Sequence, residues 1–352
     1  MKIKTRSLLT AAALAAGAGT AFAGAEDLTI FDWSGYEDQG FYGDYVAKHG
    51  GAPSYTYFGS VEEAFTKLQS GFTADLAHPC TDALRKWVAA DLIKPIDTSK
   101  ITNWDSLLPQ IKDVDGVTID GNTYMVPFEW GNTGLIYRTD EIADDKISLQ
   151  MLADPAYQGK VAIPDAASSA YAMAALATGA SSYTDMSDAE FQAASDYLRS
   201  IHQNIRFYWS DAGQLDQAIA SGEVLMGWGW NQSELNLIWN ETPAKMMRDV
   251  DKGIATWVCG YVHLKSSEQS DEQVYDMLNA LSAEASGKYI IESWGYPHSN
   301  AAAFQSADQE LIKTYGFDDV DSFFEGSLFF DAVTPELEAR MLKEFERIKA
   351  GF

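Results

Sequence analysis

Short apolar strands alternate with helical segments near the start of the chain, and this alternation constrains the fold more than any other sequence feature. Segments 28–33, 53–58 and 74–78 each have the length and apolar or aromatic character of a strand. Ser60 and Glu63 have the spacing of a capping box, which predicts a helix between the second and third strands. The order strand, helix, strand, helix, strand predicts an α/β fold with parallel strands and binding loops at their carboxyl ends.

The chain has 352 residues, more than a single hydrophobic core usually serves, so two lobes are expected. Asp120-Gly121 predicts a hairpin turn, and Thr334 followed by Pro335 predicts the start of a closing helix. One face of that helix is predicted to carry Leu337, Met341, Leu342, Phe345 and Ile348. The predicted organisation is residues 24–134 plus 258–302 in lobe 1, and residues 135–257 plus 303–352 in lobe 2.

The first 23 residues have the pattern of a secretory signal peptide. Lys2, Lys4 and Arg6 precede an apolar run that ends in the cleavage-site pattern 21–23. The run is too short to span a bilayer comfortably. No cysteine immediately follows the predicted cleavage site, so we expect a periplasmic protein without a lipid anchor.

Removing this segment leaves 22 basic residues against 51 acidic ones, a formal charge of −29. Such a surface repels nucleic acid and anionic lipid and attracts cations at long range. The charge predicts no nucleic-acid partner, although solubility alone is an equally good reason for it.

Catalytic motifs are missing from the sequence. It contains no G-x-S-x-G elbow, Walker loop, H-E-x-x-H or C-x-x-C, and its five histidines lack metal-ligand spacing. We therefore expect no enzyme activity, no cofactor and no bound metal.

Aromatic residues gather near the predicted strand ends, often beside glycine. Each could simply fill a core, but together they are better explained as a cage, because aromatic faces attract ammonium and quaternary nitrogen. A sugar site, which also uses stacked rings, is the competing interpretation. The residues concerned are Trp33, Tyr36, Trp130, Trp228, Trp230, Trp257, Tyr261, Trp294 and Tyr296.

The chain resembles the periplasmic spermidine/putrescine-binding proteins of ABC importers. The likeness covers the mature chain and is carried by segments 32–36, 92–97, 126–131, 227–231 and 295–297. It implies a type II periplasmic fold, in which two α/β lobes close on a ligand in the cleft between them. It also implies a cationic or zwitterionic small-molecule ligand and a permease partner in the inner membrane, and we expect the protein to be a monomer.

By this resemblance, aromatic rings stack on the ligand and Asp165 holds an amine. Cys80 takes the place of a serine in the cleft, and Asp82 that of an aromatic residue. The full set of predicted ligand-binding residues is Trp33, Ser34, Tyr36, Cys80, Asp82, Glu129, Asp165, Ser168, Trp228, Trp230, Trp257, Cys259 and Tyr296.

Two departures from the family pattern affect the ligand. Ser168 and Cys259 stand where the family has carboxylates, and an ammonium is costly to bury without one. Asp82 and Glu129 could compensate. A polyamine is the first expectation, and a quaternary-ammonium, betaine-like or amino-acid-like zwitterion is the alternative.

Cys80 and Cys259, the two cysteines, both map to the binding cleft. A disulfide requires Cα atoms within about 7 Å, and a bridge at this place would obstruct the site. We therefore predict two free thiols.

Overall fold

The computed structural model describes residues 24–247, 254–325 and 327–352, so the predicted signal peptide lies outside the described residues. Their strands are β1 Thr29–Asp32, β2 Ser54–Tyr57, β3 Leu76–Ala77, β4 Ile93–Lys94, β5 Thr118–Ile119, β6 Asn122–Thr123, β7 Met125–Arg138, β8 Val161–Pro164, β9 Ile205–Trp209, β10 Met226–Trp230, β11 Ala244–Met247, β12 Ile254–Leu264 and β13 Ser327–Phe329.

Their α-helices are α1 Gly43–His49, α2 Val61–Gln69, α3 Thr81–Ala89, α4 Pro109–Lys112, α5 Ala167–Thr178, α6 Asp188–His202, α7 Ala212–Ala220, α8 Asn231–Trp239, α9 Asp271–Leu281, α10 Glu284–Trp294, α11 Ala301–Ser306, α12 Gln309–Thr314, α13 Val320–Glu325 and α14 Pro335–Lys349. Short 3₁₀ turns lie at Ala25–Asp27, Gln39–Phe41, Thr98–Lys100, Trp104–Ser106, Leu149–Ala153 and Pro155–Tyr157.

One sheet runs through both lobes in the order β2-β1-β3-β12-β7-β10-β8-β9. The β1, β2 and β3 strands are parallel in lobe 1, and β8, β9 and β10 are parallel in lobe 2. The parallel strands confirm the predicted α/β class. Their carboxyl ends lead into the loops that form the site.

Two long antiparallel strands, β7 and β12, cross between the lobes. Residues 125–133 of β7 pair with β12, whereas residues 133–137 pair with β10 in lobe 2. β13 lies parallel to β12 and adds a third connection. The lobes are therefore joined by a sheet segment and not by a loose linker.

Helices cover the sheet on both faces in each lobe. In lobe 1, Phe31 and Trp87 belong to the core on one face, and Leu76 and Leu278 to the core on the other. In lobe 2, α5, α6 and α14 pack on one face and α7 and α8 on the other.

The predicted boundary at residue 303 is wrong. Ala303, Ile312, Phe317 and Phe323 belong to the lobe 1 core that contains Trp87. The chain reaches lobe 2 only with α14, where Phe345 joins the second core. The return to lobe 2 thus follows β13 and does not lie within α11, where residue 303 falls.

Several local predictions are confirmed. The Ser60 hydroxyl accepts from the Glu63 backbone N–H at the start of α2, and Asp120 and Gly121 have the positive φ values of the predicted hairpin turn. One was inexact: Leu342 is 49% exposed although the helical pattern placed it on the buried face of α14.

Within the described ranges, no helix has both the length and the apolar character required to cross a membrane.

Candidate functional site

Aromatic side chains from four separate segments meet between the lobes. We call Trp33, Tyr36, Trp230, Trp257, Trp294 and Tyr296 the aromatic cluster, and all six pack in one hydrophobic core. The Tyr36 and Trp294 ring centroids lie 5.0 Å apart, and those of Trp257 and Tyr296 also lie 5.0 Å apart, edge to face. The sequence prediction that rings from both lobes converge holds for these residues.

Strand alternation explains the position of Trp257. Trp257, Cys259 and Tyr261 share one face of β12 and pack in the core of the aromatic cluster, whereas Val258 and Val262 pack in the opposite core. The Trp257 ring lies against Gly131 of β7, where a Cβ would have no room. Glycine at 131 therefore permits the indole to lie flat on the crossing strand.

The turn after β1 positions two more rings. Gly35 has φ +104°, and a Cβ there would lie 2.7 Å from Trp294 Cη2. Only glycine suits both the backbone conformation and the close contact. The Trp33 indole N–H donates to the His78 carbonyl at 2.9 Å, which fixes that ring beside the end of β3.

Contacts between the lobes are polar as well as aromatic. The Tyr296 hydroxyl donates to Gln232 Oε1 at 3.1 Å, and Asn231 Nδ2 donates to the Gly295 carbonyl at 2.8 Å. Both bonds join the start of α8 in lobe 2 to the turn after α10 in lobe 1. These contacts hold the two lobes together around the aromatic cluster.

A buried network of charged and hydroxyl side chains includes the hydroxyl end of Tyr36. Its members, Asp32, Tyr36, His78, Glu129 and Tyr261, are at most 6% exposed. His78 Nδ1 lies 2.7 Å from Asp32 Oδ1, and the Tyr261 hydroxyl donates to Asp32 Oδ2 at 2.9 Å. The Tyr36 hydroxyl donates to Glu129 Oε1 at 3.0 Å.

A β-bulge brings Glu129 into this network. The register between β7 and β12 shifts between Cys259 and Gly260, opposite residues 127–129. Phe128 and Glu129, although neighbours in the chain, therefore both contact Tyr36. Bulges commonly re-aim a side chain in this way.

His78 carries a positive charge in this environment. Burial alone would lower the pKa of His78, but the carboxylates of Glu129 and Asp32 outweigh burial and raise that pKa to about 10. Burial also raises the pKa of Tyr36 and of Tyr296, and Glu129 adds to both shifts. Both tyrosines therefore stay protonated and act as donors at neutral pH.

Cys80 and Cys259 form a disulfide, so the prediction of free thiols is wrong. The prediction treated the two residues as facing each other across part of the cleft. They are instead directly opposite on adjacent antiparallel segments, in the register that pairs Ala77 with Val262, and their Cα atoms are 3.8 Å apart. The bridge lies within the sheet, beside Glu129, and does not cross the cleft.

Three predicted site residues lie apart from the aromatic cluster. Trp228 is 1% exposed within the lobe 2 core, because the face of β10 that bears it packs under α5 and α6. Asp165 forms an ion pair with Lys349 Nζ of α14 at 2.5 Å. Ser168 is exposed on α5.

The remaining predicted residues are at the edge of the site. Ser34 is exposed in the turn that holds Trp33. Asp82 is on α3 immediately beyond the disulfide, and its Oδ1 atom is buried without a hydrogen-bond partner.

Sequence reasoning missed three residues of this site. Asp32 was named only within segment 32–36, His78 was not among the predicted binding residues, and Trp294 was left out of the binding set. A signal existed for the first two, because both lie where parallel strands end. Trp294 was recognisable only through its packing on Gly35.

The described part of the chain contains no group of three or more His, Cys, Asp or Glu residues that could hold a metal ion. The geometry is that of a binding site: rings and one carboxylate lie between two lobes, and crossing strands join those lobes. This arrangement defines the class of two-lobed solute-binding proteins with the type II periplasmic fold.

The comparison with protein families agrees. A model described as bacterial extracellular solute-binding protein matches residues 44–315, and the chain belongs to this family. Its members are binding proteins and not enzymes.

Individual relatives are similar over most of their length. The spermidine/putrescine-binding periplasmic protein of Salmonella typhimurium is 27% identical over 358 residues, covering 100% of both chains. The protein of the same name from Escherichia coli is 29% identical over 319 residues, covering 88% of each. A solved structure described as a putative spermidine/putrescine ABC transporter from Listeria monocytogenes has a TM-score of 0.80 at 24% identity, covering 92% of this chain and 98% of that one.

Proposed function

We propose that the protein is the periplasmic substrate-binding component of an ABC importer and captures a small organic cation of the putrescine or spermidine type. In this proposal it is exported by its signal peptide, is not lipid-anchored and acts as a monomer. It delivers its ligand to a permease in the inner membrane.

The observation that carries the proposal is the convergence of the aromatic cluster on a buried carboxylate. Tyr36 donates to Glu129, and Glu129 contributes to the raised pKa of Tyr296. Aromatic faces and one carboxylate attract a cation, with each ring contributing about 0.5–2 kcal/mol. A neutral sugar could donate hydroxyl hydrogen bonds to that carboxylate but would lack the charge–charge attraction that a cation gains.

The names of the relatives support the same ligand class. The two relatives described above are named for binding spermidine and putrescine, and their similarity covers most or all of this chain.

One observation keeps a second candidate open. Lys349 is paired with Asp165, the residue that corresponds to an amine-holding acid in the resemblance, and Ser168 supplies no charge. A ligand with one cationic centre, such as an amino-acid-like zwitterion or a betaine, requires fewer acidic anchors than a diamine.

Capture requires a ligand that binds the closed arrangement more tightly than the open one. The bonds from Gln232 to Tyr296 and from Asn231 to Gly295 form only when the lobes meet. A cation held between Tyr36, Tyr296 and Trp230 would contact both lobe 1 and the end of the lobe 2 strand β10, and so favour closure.

The first test is a thermal-shift panel followed by calorimetric titration of the purified mature protein. The panel contains putrescine, spermidine, 4-aminobutyrate, choline, glycine betaine and glucose. A ligand at one hundred times its dissociation constant adds about 2.7 kcal/mol to the free energy of unfolding. We expect putrescine or spermidine to give the largest shift.

Glucose is the control for non-specific solute effects. Stabilisation by glucose alone would replace the proposal with a sugar-binding function, and stabilisation by choline or betaine alone would favour the second candidate. No shift with any cation at concentrations up to 10 mM would contradict the proposal. It would mean a dissociation constant above about 1 mM, which is too weak for capture.

A further inference from the structure

The buried charge network contains one more negative than positive charge. Asp32 and Glu129 each contribute a carboxylate, and His78 between them contributes a single imidazolium. All three are at most 2% exposed. An uncompensated buried charge is costly, so the network has a deficit that a cation would remove.

The deficit can be assigned to one atom. Asp32 accepts from the Trp33 backbone N–H and the Tyr261 hydroxyl, and it also faces His78 Nδ1. Glu129 Oε1 accepts from Tyr36. Glu129 Oε2 is buried without any hydrogen bond, and its 3.2 Å contact with His78 Nε2 lacks hydrogen-bond geometry.

The surroundings of Glu129 restrict the direction from which a ligand can approach. The Cys80–Cys259 disulfide lies on the adjacent strand, and His78 and Phe128 pack on Tyr36 from the core side. Tyr36, which donates to Glu129 Oε1, belongs to the aromatic cluster. The approach that remains is from the aromatic cluster, where the lobes meet.

We propose that Glu129 Oε2 receives an N–H of the ligand's primary ammonium, and that this requirement selects primary amines over quaternary ammonium ligands. This inference rests on the proposed cation-binding function. The 3.2 Å contact of Glu129 Oε2 with His78 lacks hydrogen-bond geometry, so this oxygen gains a hydrogen bond from an N–H group, and a quaternary nitrogen has none. Both cations can pack against the aromatic rings, but only the primary ammonium can also donate a hydrogen bond to the carboxylate.

The test compares two ligands of equal charge on the wild-type protein and on Glu129→Gln. The ligands are putrescine and its permethylated analogue, in which each nitrogen carries three methyl groups. Glutamine keeps an acceptor for Tyr36 and removes the charge. We expect the wild type to bind putrescine at least tenfold more tightly than the analogue, and Glu129→Gln to bind putrescine about 10- to 100-fold more weakly.

The ratio of the two affinities separates a direct contact from loss of structure. In Glu129→Gln, we expect the preference for putrescine over the analogue to fall to less than threefold. Asp75→Asn is the matched control, because Asp75 is a buried lobe 1 carboxylate that accepts from Thr29 and Ser267, away from the cluster. We expect this variant to be less stable but to keep the putrescine affinity within threefold.

Each outcome is decisive. Binding of both ligands with equal affinity by the wild type would overturn the inference while leaving the cation-binding function intact. Putrescine affinity within threefold of wild type in Glu129→Gln would do the same. If Glu129→Gln fails to fold, the wild-type comparison of the two ligands decides alone. If the wild type binds neither ligand nor any other cation, the proposed function fails, and the inference fails with it.

Discussion

Asp82 is the second residue of α3, where a carboxylate ordinarily gains from the unpaired N–H groups of the first helical turn. Burial opposes this effect and, with the nearby carboxylate of Glu62, raises the pKa of Asp82 to about 7. The ionised form is therefore less stable in the folded protein than in the unfolded chain.

This shift predicts that Asp82→Asn stabilises the protein at pH 8. Because the pKa of Asp82 is raised in the folded protein, its protonated carboxyl contributes fully to stability below about pH 4. That contribution is lost as the pH rises through 7. We expect the variant to gain about 1–2 kcal/mol in free energy of unfolding at pH 8 and nothing at pH 4. The value at pH 8 is reduced because the Asp82 side chain is partly exposed. Urea unfolding at both pH values measures this.

Asp105→Asn is the control, because Asp105 is an exposed carboxylate outside the site. The stability difference between Asp105→Asn and the wild type, measured at the same two pH values, gives the background for the effect at Asp82. A lower stability of Asp82→Asn at pH 8 would contradict the assigned environment of Asp82.

Single residues were predictable from sequence where their role depends on local chain geometry. Trp33 and Tyr36 flank a Gly35 turn at a strand end, and the structure places both in the aromatic cluster. The ion pair between Asp165 and Lys349 was not predictable by pattern, because the two residues are 184 positions apart. Ion pairs over such separations have no signature in one sequence.

At the scale of elements, the disulfide ties the start of α3 to the crossing strand β12. The two cysteines are separated by 179 residues, so the bond closes a long loop in the unfolded chain. Cross-links of this kind stabilise mainly by restricting the unfolded state.

Reduction of the disulfide is expected to lower the free energy of unfolding by about 2–4 kcal/mol. Tryptophan fluorescence during urea unfolding, with and without dithiothreitol, measures the change. The Cys80→Ser, Cys259→Ser double variant is the control and should not respond to the reductant. Two titratable thiols in unreduced, unfolded wild-type protein would rule out the bond.

Helix starts were readable from sequence because capping depends on residues three apart. The Ser187–Glu190 box, for example, forms in full at the start of α6. Strand register was not predictable from sequence. Cys80 meets Cys259 only because distant segments pair, and Glu129 joins the network only because of a bulge. The pairing of the two cysteines and the position of Glu129 were therefore visible only in the folded structure.

At the scale of the whole molecule, the α/β class and the two lobes followed from strand–helix alternation and chain length. The boundary at residue 303, within α11, did not, because small helices such as α11 and α12 carry no signal of which lobe they join. The formal charge of −29 for the chain without residues 1–23 also acts at this scale.

That charge predicts salt-dependent capture. The association rate constant for putrescine should fall about 3- to 10-fold between 10 and 300 mM NaCl, because screening weakens long-range attraction. Stopped-flow tryptophan fluorescence measures this rate. The dissociation rate is the internal control and should change much less. An association rate independent of salt would show that the acidic surface does not guide the ligand.

The disulfide also affects how the lobes can move. Cys259 is near the middle of β12, so the bond fastens the rest of that strand, residues 259–264, to lobe 1. Rotation of lobe 2 must then be absorbed by torsion angles at residues 254–258, in the facing part of β7 and in the third connection at β13. The pivot lies beside Trp257 and Gly131, so the hinge and the ligand-binding rings occupy the same few residues.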